Sequence, residues 1–230
     1  MLVFAHRGAS GEYPENTLPA FDAAIAQGAD GIELDVFQVG DELLVYHDRY
    51  LDKLGFPDIQ TVDLSPAQRA KLDIPMNKAI PTLMQALECI NGRCLINIDI
   101  KYLHDVALLL ECLNQAVARQ FCRWPQIILS SFDHPLLLRL RQENTDINLG
   151  VILASIPLQF QSLKELLQPY SVHMDINCLD LQAVKSMHKM ALPVYVYTVD
   201  KASDISLLKT WQVDGIFSNF PGRSKQMIAT

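Results

Sequence analysis

The sequence predicts a closed (β/α)8 barrel of the TIM type, and three observations carry that prediction. Short apolar runs rich in β-branched residues alternate with segments of helical spacing from one end of the chain to the other. The alternation yields eight strand-and-helix units, more successive crossovers than an open doubly wound sheet ordinarily contains. The length, 230 residues, suits one such barrel.

The elements follow in order along the chain. Residues 2–5 form the first strand, and Asn16 or Thr17 caps a helix over 18–27 that Gly28 closes. Strand two covers 30–36 and has a hairpin partner at 43–47. An irregular insertion, residues 49–80, then interrupts the rhythm. Within it Ser65-Pro66-Ala67-Gln68 opens a short helix, and Asp58, Asp63 and Asp73 make the segment acidic. Because it follows the strand that delivers His47, it is expected to form a lid or substrate wall beside the barrel mouth. A helix over 82–89 has Pro81 at its start. Six further strands, at 95–100, 127–131, 149–153, 172–176, 194–198 and 215–218, are each followed by a helix. Residues 1–230 therefore read as one domain with a small insertion.

Composition excludes several function classes. Half the residues are apolar and a fifth are charged, so the chain can bury a large core. Lysine and arginine number 19 against 26 aspartates and glutamates, a net charge of −7, and no basic run stands out. That balance argues against nonspecific nucleic-acid binding and against docking on anionic membranes. No signal-peptide core is readable at the N-terminus, and the greasiest segment, 106–117, carries Glu111, Asn114 and Gln115, so no membrane insertion is expected. Five cysteines without C-x-x-C spacing read as reduced packing residues, consistent with a cytoplasmic protein. Trp124, Trp211 and Phe220 leave open whether identical chains associate.

Barrel strands are covered on both faces and should be almost wholly apolar. Strand two instead contains Glu33 and Asp35, and strand three contains Asn97, Asp99 and Lys101. Side chains alternate along a strand, so each set shares one face. With Ile32, Leu34, Ile98 and Ile100 packed outward, three carboxylates converge inside the mouth. Adjacent buried anions require a cation, and an all-oxygen cage suits Mg2+ or Ca2+. Pairing with Arg7 and Lys101 alone is the competing reading. His6 ends strand one and His47 ends the hairpin strand, so both imidazoles approach the same mouth and can supply an acid and a base. Arg7 offers a planar fork for phosphate and Lys101 a point charge. The set fits phosphoryl transfer better than sugar or acyl chemistry. His104, His134, His173 and His188 read as capping or core histidines.

Motifs recurring in order give a second line of argument. They are Ala5-His6-Arg7-Gly8-Ala9, Pro14-Glu15-Asn16-Thr17, 28–36, Leu44-Val45-Tyr46-His47-Asp48, Ile80-Pro81-Thr82-Leu83, 97–101, Ser130-Ser131-Phe132-Asp133, 194–200 and Asp214-Gly215-Ile216. In these the chain resembles the glycerophosphodiester phosphodiesterase family, most closely its short bacterial, cytoplasmic members. The resemblance implies a TIM barrel that hydrolyses glycerophosphodiesters to sn-glycerol 3-phosphate and an alcohol with a divalent metal. By motif position it implies Glu33, Asp35 and Asp99 as metal ligands, His6 and His47 as the acid/base pair, and Arg7, Lys101 and Tyr197 as substrate contacts. Asp99 stands where the family usually has glutamate, Ser218-Asn219 replaces a threonine-aspartate pair, and Tyr197 replaces a frequent tryptophan. Twelve positions separate Asp35 from His47, one fewer than the family pattern. The alternatives are a lysophospholipase D-like phosphodiesterase, which needs an apolar entrance, and a non-catalytic barrel that binds a phosphorylated metabolite.

Overall fold

A computed structural model describes residues 1–72 and 79–229, so Asp73 lies outside the described residues. Strand β1 (Leu2–His6) leads to helix α1 (Leu18–Ala26), and β2 (Gly31–Val39) turns back through β3 (Glu42–Val45). The insertion holds a ribbon of β4 (Tyr50–Leu51) and β5 (Phe56–Gln60) and the short α2 (Pro66–Arg69). Then come α3 (Leu83–Ile90), β6 (Leu95–Tyr102), α4 (Val106–Ala118), β7 (Ile127–Ser131), α5 (His134–Glu143), β8 (Asn148–Leu153), α6 (Phe160–Leu167), β9 (Ser171–Asp175), α7 (Leu181–Lys189), β10 (Val194–Tyr197), α8 (Ala202–Thr210), β11 (Gly215–Ser218) and α9 (Pro221–Ala229). Parallel pairing runs β1-β2-β6-β7-β8-β9-β10-β11, and β11 returns to β1, so eight strands close the predicted barrel. None of the described helices is long and apolar enough to cross a membrane.

Local chemistry explains the boundaries. Thr17 caps α1, accepting from Ala20 N–H, and Pro19 sits in the first turn where its missing donor is harmless. Pro81 is a correction: it precedes the cap instead of starting α3. Its carbonyl accepts from Val45 N–H at 2.8 Å and Thr82 bridges Leu44, which holds this stretch extended against β3. Thr82 then caps α3 reciprocally with Gln85. Ser65 and Gln68 cap α2 in the same way, as the sequence predicts.

Two apolar layers position the mouth. Ile32, Leu34, Ile98 and Ile100 belong to the shell between strands and helices, which leaves the alternate residues facing inward. Phe4, Ile128, Tyr195 and Phe217 fill the barrel interior, and His173 stacks on Tyr195 at 5.4 Å within it. Gly150 makes room for that imidazole, since a Cβ there would lie 2.6 Å from His173 Cε1. Burial pushes the His173 pKa down to about 3, so the ring is neutral. The insertion has a small core of its own, in which Leu51, Leu64 and Leu72 pack on Leu44, Tyr46 and Ile80. Leu54, Phe56 and Ile59 pack against that core. Much of their apolar surface is therefore used within the insertion.

Candidate active site

The turn after β1 places the first two residues of the site. Arg7 takes a positive φ of 56° and Gly8 one of 80°, a reversal that costs a non-glycine residue strain. Gly8 is also sterically required, because a Cβ would lie 2.7 Å from the Ala20 backbone of α1. The turn aims the Arg7 backbone N–H at Glu33 Oε2, 2.8 Å away. The guanidinium reaches Glu15 Oε2 at 2.9 Å and Asp35 Oδ2 at 3.2 Å.

Register does the rest. Glu33 pairs with Asn97 and Asp35 with Asp99 across β2 and β6, so Asp35 and Asp99 lie side by side and Glu33 shares their face two residues earlier. All three are buried, and one oxygen from each falls within 4.8 Å of the others. Lys101 Nζ lies 3.0 Å from Asp35 Oδ1 and 2.5 Å from Asp99 Oδ2. Asn16 Nδ2 donates to Asp35 Oδ2 at 2.8 Å. Asp35 Oδ1 is thus met only by the Lys101 charge, and Asn97 Oδ1 and Asp99 Oδ1 have no hydrogen-bond partner among the described residues. Buried acceptors are rarely left so, and carboxylate oxygens gathered in one place fit a cation's ligand shell.

Protonation tells the same story. Burial, then the charges of Asp35 and Asp99, hold the Glu33 carboxyl well above the usual range. Burial also raises Asp99 to about 6 against the pull of Lys101. Asp35 is buried as well, but Lys101 and Arg7 together outweigh that and keep it low. Two fixed cations cannot balance three anions, so the metal-free cluster keeps protons that a divalent ion would displace.

Both histidines face the same cavity of about 220 Å³, with Arg7, Glu33, Asp99, Lys101 and Tyr197 also on its wall. His6 Nδ1 lies 2.8 Å from Asn219 Oδ1. Asn219 Nδ2 donates to Asp200 Oδ2 at 2.6 Å. The acceptor-only carboxylate therefore fixes the amide orientation, and His6 must donate from Nδ1. Its Nε2 lone pair is left for the cavity. Burial, followed by the Arg7 charge, lowers the His6 pKa and keeps the ring neutral. His47 Nδ1 donates instead to a carboxylate, Asp48 Oδ1, at 2.7 Å. Lys53 Nζ braces that carboxylate from the other side at 2.7 Å. Tyr197 reaches the wall as predicted, with its hydroxyl donating to the Leu153 carbonyl at 3.0 Å.

Comparisons with known proteins place the chain in a family. Residues 6–223 match the sequence model of the Glycerophosphoryl diester phosphodiesterase family. The chain belongs to this family. Among its relatives, a glycerophosphodiester phosphodiesterase of Caldanaerobacter subterraneus is 30% identical over 232 residues, covering 96% of this chain and 94% of that protein. One from Bacillus altitudinis is 29% identical, covering 96% of each. The structure of an Oleispira antarctica phosphodiesterase in complex with the product sn-glycerol 3-phosphate superposes with a TM-score of 0.90 at 27% identity, over 100% of this chain and 97% of that one.

Several glycerophosphoryl diester phosphodiesterase features here were not assigned from the sequence. Asn219 and Asp200 stand behind His6, and the only signal was that Ser218-Asn219 departs from the family's pair. Asn97, Phe132 and His173 line the cavity as well. His104, His134 and His188 keep local roles, bonding Gln38, the Ile152 carbonyl and Asp214.

Proposed function

We propose that this protein hydrolyses glycerophosphodiesters to sn-glycerol 3-phosphate and an alcohol, using a hard divalent cation, Mg2+ or Ca2+, at Glu33, Asp35 and Asp99. The observation that carries the reading is the convergence of three buried carboxylates, one of them, Asp99, with an unpartnered oxygen, beside two histidines and two fixed cations. When bound, the cation supplies charge that polarises the phosphate and stabilises what develops on it. Arg7 and Lys101 hold the equatorial phosphate oxygens. His6 takes the proton of the attacking glycerol hydroxyl at Nε2, because its other nitrogen is committed to Asn219. His47, supported by Asp48, protonates the leaving alcohol, and water then opens the cyclic phosphate. The insertion walls the mouth on the His47 side. The five free thiols fit a reducing compartment, in keeping with the cytoplasm.

The test is release of sn-glycerol 3-phosphate from glycerophosphoethanolamine, followed with and without chelator. Release that requires Mg2+ or Ca2+ is the expected result. Binding of the phosphate product without turnover would establish a non-catalytic barrel instead, and turnover confined to lysophospholipids would establish the lysophospholipase reading.

The cation also has a thermodynamic signature. Glu33 and Asp99 have raised pKa values, so at these two groups the metal-free fold holds more protons than the unfolded chain, and their contribution to stability falls as pH rises from about 4 through about 6. Added Mg2+ should therefore raise the melting temperature more at about pH 7.5 than at about pH 5, where protons compete for the same oxygens. His173, with its lowered pKa, acts in the opposite direction. Its contribution is common to both forms and cancels in the difference. An equal or larger shift at the lower pH would argue against the carboxylate cage.

A further inference from the structure

A second cavity, of about 430 Å³, opens beside the first between the insertion and the barrel rim, and His47 and Lys101 line both. Phe37 and Tyr102 form its barrel side, and Arg49 and Gln60 form its insertion side. Among the described residues no aspartate or glutamate is on its wall. Arg49 is held in place at its backbone, whose carbonyl accepts from Thr61 N–H at 2.8 Å. Its side chain lies over the Tyr50 ring at 5.6 Å and reaches Gln60 Oε1 at 3.5 Å.

Three acids near the mouth are already engaged. Asp48 pairs with His47 and Lys53, Glu15 with Arg7 and Lys53, and Glu42 with Arg69. Lys101 is neutralised by Asp35 and Asp99. Arg49 makes no ion pair among the described residues and brings its positive charge to a cavity reached past the histidine that protonates the leaving alcohol.

We propose that this second cavity receives the leaving alcohol and that Arg49 selects head groups carrying an anionic group, a carboxylate or phosphoryl, over purely cationic ones. The inference rests on the phosphodiesterase reading above and on the assignment of His47 to the leaving side. A planar guanidinium binds a carboxylate or phosphoryl group through two parallel hydrogen bonds. An ammonium head group meets like charge there, and no carboxylate to offset it. Because Arg49 is exposed, the discrimination is modest, of the size of a surface charge pair.

Glycerophosphoserine and glycerophosphoethanolamine isolate the effect, since they differ only by the head-group carboxylate. With Mg2+ present, the serine compound should have about a fivefold higher kcat/KM, a preference that shrinks as salt is raised toward about 1 M. Arg49→Gln should bring the ratio close to one, Arg49→Glu should invert it, and Arg49→Lys should keep its direction. Melting temperatures should match the unsubstituted protein, because the side chain is exposed. If both compounds are cleaved at one ratio in all four proteins, the head-group assignment fails while the phosphodiesterase reading stands. If neither releases sn-glycerol 3-phosphate with Mg2+ or Ca2+, both fail.

Discussion

Replacing either His6 or His47 by alanine is expected to lower kcat by about a hundredfold to ten-thousandfold, the contribution of a positioned acid or base. The melting temperature should change little, because neither ring fills the apolar core. The two variants should separate when the leaving group changes. His47 is assigned to protonate the departing oxygen, so an ester of a good leaving group such as p-nitrophenol no longer needs it. With that substrate His47→Ala should recover most of its lost rate, whereas His6→Ala should stay impaired, since deprotonation of the attacking hydroxyl is still required. The opposite pattern would exchange the two roles. Near-native turnover of glycerophosphoethanolamine by either variant would remove that histidine from the chemistry.

The separation rests on hydrogen bonds behind the rings, and these show where sequence reading stops. Glu33, Asp35, Asp99 and Lys101 were legible because polar residues at alternate positions are conspicuous in strands that should be apolar. His6 and His47 became legible only through those neighbours. Asn219 and Asp200 were not, because they lie at the far end of the chain, 213 residues from His6 in the case of Asn219. Closure of the barrel sets β11 against β1 and brings them together, and no local pattern encodes that contact. His173 was read as a core residue, which it is. It also reaches the cavity, because the barrel core and the pocket floor are one surface. In the insertion, Leu54, Phe56 and Ile59 pack partly buried against its own small core, as a ribbon this short needs to hold its shape, and no sequence pattern marks that arrangement.

Asp99 is one of the positions at which the resemblance leads one to expect a different residue, and Asp99→Asn gives the second large expected effect. Asp99 Oδ2 is held by Lys101, while Oδ1 has no partner and lies in the carboxylate cluster. Asparagine keeps the shape and removes the charge. At neutral pH the buried carboxylate is penalised when ionised, as its raised pKa records, and its charge also pushes up Glu33. Neutralising it relieves both, while Lys101 keeps Asp35. The metal-free variant should therefore melt at the same temperature as the unsubstituted protein or higher at about pH 7.5. The stabilisation by Mg2+ should shrink, and kcat/KM should fall by about a hundredfold or more, the scale on which removing one charge-stabilising group acts. Asp99→Glu, which restores the longer side chain of the family, should retain most of the activity and the metal response. A gain in metal-free stability coupled to a loss of both metal response and activity is what a ligand produces and a purely structural ion pair does not. If Asp99→Asn instead loses stability and keeps its response to Mg2+, Asp99 serves only to hold Lys101, and Glu33 and Asp35 carry the cation without it.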